Sequence, residues 1–130
     1  MIFDENTNKI IPVDKIYKLL PNIENFYYSK PSNLHFEILS TETFTNFLRL
    51  TKPDSLNSFK LENFAVSQFF DPQALFAFIL SSAGSGAVFT LNVKFSLPFQ
   101  EYEFLEAADT LLEKWSGDTR KKPIINIRTN

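Results

Sequence analysis

Between Asp71 and Leu97 the chain changes period. A run that is apolar on every side of a helix gives way to strict alternation, and this switch constrains the fold more than any other stretch. Asp71-Pro72 supplies an N-cap carboxylate and a proline at the first helical position, so a helix is expected over Pro72–Ala83. Within it, Ala74-Leu75-Phe76-Ala77-Phe78-Ile79-Leu80 leaves no polar face, and such a helix has to be buried. Gly84 is its expected stop. Beyond it Ala87, Phe89, Leu91, Val93 and Phe95 fall on one side of a strand, while Val88, Thr90, Asn92, Lys94 and Ser96 fall on the other. One face packs and the other meets water, which is the habit of antiparallel sheets. If helices cover only one side of the sheet, the second set forms a flat polar patch.

Pro98 introduces a second helix, expected over Phe99–Ser116. There Phe104, Leu105, Ala108, Leu111, Leu112 and Trp115 recur at three- and four-residue spacing, and Gly117 ends the run. Glu103, Glu106, Asp109 and Glu113 crowd another side of this helix and make its solvent face acidic. A basic turn, Arg120-Lys121-Lys122, and Pro123 then lead to a final strand at Ile124-Ile125-Asn126-Ile127. Strand, helix and strand in this order permit one right-handed crossover with parallel pairing.

The first half is less regular. Ile2-Phe3 and Ile10-Ile11 flank polar Asn6-Thr7-Asn8 as in a hairpin, and Pro12 opens a short helix, Val13–Leu20, closed by Pro21. Leu34, Phe36 and Ile38 alternate as a strand, whereas Ser40 to Leu50 fits two readings: Phe44, Phe47 and Leu48 suit a helix capped by Ser40, the reading preferred, and Phe44, Leu48 and Leu50 among threonines suit a strand. Between Phe59 and Phe70 the alternation changes phase at Asn63, implying a tight turn or bulge between two short strands. No linker, repeat or low-complexity tract divides the chain. The fold class expected is therefore α+β (mixed α/β) in a single domain, 1–130. Its sheet is mainly antiparallel, of four to six strands, with two principal helices packed on one face.

The chemical inventory is narrow: 15 phenylalanines in 130 residues, one histidine and no cysteine. Burying one such ring is worth roughly 1.5–3 kcal/mol, so the core claims most of them. Phenylalanine fills cores and grips partners but transfers no proton and holds no metal. A net charge of −2 gives no field for holding nucleic acid or an anionic membrane. The start carries no secretory signal and the longest apolar run, Ala74 to Leu80, is too short to span a bilayer, so a cytoplasmic location is expected.

Each motif that invites chemistry falls short. His35 lies between Leu34 and Phe36 on the outer side of an expected strand, without cysteines to complete a soft-metal site. Asp4-Glu5-Asn6-Thr7-Asn8 begins like a calcium loop, but Lys9 stands where glycine is needed and Lys15 where the bidentate glutamate belongs. Gly84-Ser85-Gly86 joins helix to strand, the reverse of a phosphate loop, and Ser85 lacks the flanks of a nucleophile elbow. Asp71, Glu101 and Glu103 sit at helix starts, where capping and the helix dipole explain them. The Arg120, Lys121, Lys122 and Arg128 group neutralises the end of the preceding helix. No catalytic residue, metal ligand or cofactor is expected.

Recognition is the remaining role. Phe26, Tyr27 and Tyr28 are consecutive in an expected loop, and three adjacent rings cannot all turn inward. They are the candidate partner contacts, with Glu103, Glu106, Asp109 and Glu113 adding complementary charge if the partner is basic. The chain reads as a small cytoplasmic protein-interaction module, of the toxin-neutralising (immunity) kind or a phage accessory protein, binding neither nucleic acid nor membrane. The alternative is a small-molecule binder with a Phe-lined apolar pocket.

Overall fold

A computed structural model describes residues 3–4, 9–10, 12–20, 22–29, 38–115 and 121–129. Two short strands, β1 (Phe3–Asp4) and β2 (Lys9–Ile10), pair antiparallel as a hairpin. Helix α1 (Val13–Lys18) follows, then β3 (Asn25–Ser29), β4 (Ile38–Leu39), α2 (Thr41–Leu50), β5 (Leu56–Val66), α3 (Pro72–Ser82), β6 (Ala83–Lys94), α4 (Gln100–Glu113) and β7 (Ile124–Thr129).

The main sheet has five strands in the order β3-β5-β6-β7, with β4 beside the far end of β5, and every pair in it is parallel. This overturns the expected antiparallel sheet. Three helices, α2, α3 and α4, each carry the chain from one parallel strand to the next, and α1 makes a fourth, where two principal helices were expected. The misreading has a physical cause. Alternation reports that one face of a strand is packed and the other is not, and it says nothing about strand direction.

Each crossover steps the same way across the sheet, so the right-handed rule places the helices on one face. Ring contacts confirm that arrangement. Phe59 of β5 meets Phe47 of α2 at 5.3 Å and Phe78 of α3 at 5.0 Å between centroids, and Tyr17 of α1 meets Phe26 of β3 at 5.1 Å. Phe104 of α4 stacks beside Phe70 and Phe95. The pleat then sorts each strand by parity. Phe26, Phe59, Phe89 and Ile125 form one row beneath the helices, and Tyr28, Leu61, Leu91 and Ile127 form the next.

Local chemistry sets the boundaries. Ser40 and Thr43 form a reciprocal capping box at α2, and Asp71 accepts a hydrogen bond from the Gln73 amide at 2.9 Å to start α3 behind Pro72. β5 is one continuous strand rather than two. Asn63 adopts a left-handed φ of 64° at a register shift, so the phase flips while pairing continues. Helix α3 runs straight into β6 at Ala83, so Gly84-Ser85-Gly86 is not a connecting turn but the irregular start of a strand. Ala83 pairs with Leu56 and Val88 with Ser58, which leaves residues 84–87 opposite Asn57 alone. Gly86 supplies the positive φ of 69° in that bulge, and a Cβ on Gly84 would lie 3.1 Å from the Leu56 carbonyl oxygen.

Candidate functional site

Parallel sheets are normally covered on both faces. Here the face opposite the helices bears rows that are polar apart from Val88 and the exposed Ile124. Asn25, Ser58, Val88 and Ile124 form the first, Tyr27, Lys60, Thr90 and Asn126 the second, and Ser29, Glu62, Asn92 and Arg128 the third. Most of these side chains are half-buried by their neighbours in the sheet, and no described helix lies over them.

The aromatic triplet is an edge strand, not a loop. Along β3 the rings alternate: Phe26 points into the core, Tyr27 stands on the open face at 61% exposure, and Tyr28 turns back toward Phe64. Tyr27 is held in place. The Lys60 ammonium sits 5.2 Å from its ring centroid and pairs with Glu62 at 2.8 Å. That hydrogen bond from Lys60 holds the Glu62 carboxyl below the usual range against a small desolvation cost, and the hydroxyls of Tyr27 and Ser29 assist. Ser58 donates to Asn25 at 2.7 Å, and Asn63 to Ser29 at 3.4 Å. At the centre of the face, Asn92 Oδ1 is buried without a hydrogen-bond partner among the described residues. Lys94 and Arg128 are exposed.

Glu103, Glu106, Asp109 and Glu113 all lie exposed on α4. They are brought together with one another and not with Tyr27. Helix α4 packs on the other side of the sheet, against α3 and β7, whereas Tyr27 belongs to the opposite edge strand. One flat partner surface does not reach both groups.

The remaining candidates hold structural posts. Glu101 Oε1 accepts from the Thr129 hydroxyl at 3.2 Å, which ties α4 to β7. Ser85 Oγ accepts from the Lys121 amide at 2.9 Å and Gly86 donates to the Lys121 carbonyl at 3.2 Å, so the basic turn clamps the β6 bulge. His35, Arg120 and residues 5–8 lie outside the described residues. Among the described residues no three His, Cys, Asp or Glu side chains converge as metal ligands, and no helix is long and apolar enough to cross a membrane.

Phenylalanines in the core fill space by contact. Phe47, Phe59, Phe78 and Phe89 are buried and pack ring against ring, with centroids 5.0–6.0 Å apart. An apolar groove of about 420 Å³ does open between α3 and α4, lined by Phe76, Ala77, Leu80, Ala107 and Leu111 with Gln73, Thr110 and Lys114 at its polar rim. The Tyr27–Lys60–Glu62 cluster was not found by sequence reasoning. Its signal was present in the polar phase of β5, but the pairing of β3 with β5 needs the register. No known protein family, curated protein or solved structure matches this chain.

Proposed function

We propose that the protein is a non-enzymatic interaction module that holds a partner protein against the open face of its sheet, with Tyr27 as the anchor. The observation that carries this reading is an all-parallel main sheet whose described helices all lie on one side, with a pinned, 61% exposed tyrosine on the other. An aromatic ring fixed in advance by Lys60 and Glu62 loses little freedom on binding, which favours affinity. Lys94 and Arg128 add positive charge to a face that mixes amides, hydroxyls and the Lys60–Glu62 pair with Val88 and exposed Ile124, so the matching surface is mainly polar with acidic groups opposite the two cations. Neutralising a toxin by covering its surface is a task that needs only such a face.

The test is capture of a stoichiometric partner from the source organism by the wild-type chain, Tyr27→Ala and Asn92→Arg in parallel. The reading expects a partner retained by the wild type and lost by both variants. A partner held equally by all three chains, or none held by the wild type, contradicts it.

A further inference from the structure

The two edges of the main sheet are finished differently. At the β3 edge Tyr17 of α1 closes over Phe26, which is only 5% exposed. At the other edge β7 pairs with β6 alone among the described residues, in one unbroken register from Ile124 to its end. It carries none of the usual guards of an edge strand: no proline, no bulge and no charge turned under the helices. Ile125 and Ile127 continue the rows of Phe89 and Leu91, yet they stay half-buried where those two are 2% and 4% exposed. The apolar layer runs on above them. Glu101 of α4 reaches Thr129, and Leu105 and Leu112 share that flank of the helix, turned away from the groove toward α3 that Ala107, Thr110 and Lys114 line. Leu105 is 43% exposed.

Because all strands of a parallel sheet share one direction and one handedness, residues on one face turn their backbone N–H and C=O groups toward the same edge. Ser58, on the open face, donates to the Glu24 carbonyl at 3.3 Å, toward the β3 edge. Residues under the helices point the other way, so in β7 Ile125, Ile127 and Thr129 direct their backbone groups outward. A free ladder beside a half-covered apolar row calls for an extended segment, and two observations choose which. Lys121 and Lys122 just before β7, with Lys94 and Arg128 at its far end, are exposed cations, so the segment they match is acidic. Helix α4 packs on β7, so joining two copies edge to edge would bring two such helices to about one strand spacing, ~5 Å, where packed helices need about 8–10 Å. A single strand meets no such obstacle.

We propose that the β7 edge takes an extended, acidic segment of a partner protein as an added strand of the main sheet. Alternate apolar residues of the segment lie under Leu105 and Leu112 beside Ile125 and Ile127, and its carboxylates lie on the open face near Lys94 and Arg128. Main-chain hydrogen bonds supply the grip and the alternating side chains the selectivity. Tyr27 belongs to the opposite edge strand, so this inference and the reading of the open face can fail independently.

Titration of the isotope-labelled full chain with a peptide of about six residues, alternating Val with Glu, tests it by NMR. The peptide should bind and slow hydrogen exchange chiefly at the amides of Ile125, Ile127 and Thr129, since those of Asn126 and Arg128 already face β6. Arg128→Glu and Leu105→Glu, both at exposed positions, should each weaken binding about tenfold or more, with circular dichroism to verify folding. Tyr27→Ala should leave it unchanged. A peptide alternating Val with Lys should bind far more weakly. No binding at millimolar peptide, protection that spares the three outward amides, equal binding of the basic peptide, or a chain already paired with a second copy through β7 overturns the proposal.

Discussion

Tyr17 Oη lies 2.6 Å from Thr51 Oγ1, and the direction of this bond follows from the second bond Thr51 makes. Thr51 gives its single hydroxyl proton to the Phe47 carbonyl at 2.7 Å, so Tyr17 is the donor and the short helix α1 is tied to the end of α2.

Removing that donor has an expected signature. Tyr17→Phe should cost about 0.5–1.5 kcal/mol in denaturant unfolding, and in a Thr51→Val background, where the acceptor is already gone, the same change should cost much less. Burial raises the pKa of Tyr17. The neutral ring is therefore favoured in the fold. Its stabilisation is complete below the ordinary tyrosine value near about 10 and fades as pH rises through the elevated one, so the Phe variant should show a shallower alkaline loss of stability.

Phe59 stands at the centre of the ring cluster, in contact with Tyr17, Phe26, Phe47, Phe78 and Phe89. Truncation to Ala should cost about 3–5 kcal/mol, because the surrounding rings belong to separate helices and strands and cannot all collapse into the space. Phe69, 84% exposed, is the control. Its replacement by Ala should shift stability by no more than about 0.5 kcal/mol in the same unfolding assay.

Ser82 ends α3 with its hydroxyl fully buried and without a hydrogen-bond partner among the described residues. A buried polar group in that position costs stability. Ser82→Ala should therefore be neutral or raise the melting temperature, whereas most substitutions at fully buried sites lower it. A clear fall in melting temperature would mean that the hydroxyl does have a partner.

Glu62 supplies the acid-side counterpart. Its carboxyl is held below the ordinary range chiefly by Lys60, so its stabilising contribution is present above about pH 4.3 and lost as pH falls through the lowered value. Glu62→Gln should flatten the acid limb of a stability–pH curve. Because the pair is solvent-exposed on one side, the effect at neutral pH should be small.

How much of this was legible in the sequence differs by level. Local chemistry was readable where the signal acts within a few residues, as at the Asp71 cap and the all-apolar α3, whereas Ser40–Leu50 fitted helix and strand patterns alike until the capping box was seen. The polar set Val88, Thr90, Asn92 and Lys94 was likewise visible as one face of β6. Strand direction was not, since it depends on which strands the crossovers join, and an uncovered parallel sheet alternates as an antiparallel one does. The same limit hid the role of Phe26-Tyr27-Tyr28. Flanked by Asn25 and Ser29, they resemble a loop until Ser58–Glu62 supplies the pairing that makes them a strand. The acidic side of α4 was legible as a pattern, but its separation from Tyr27 across the sheet was not.

The central claim is that the sheet face opposite the described helices is the working surface. Incorporation of a photo-crosslinking amino acid in place of Tyr27, with irradiation in cells, tests it most directly. The account expects a single dominant adduct with another protein at this position and none from a probe at Asn22, outside the sheet. Absence of any adduct at Tyr27, or equal labelling at both positions, would contradict it.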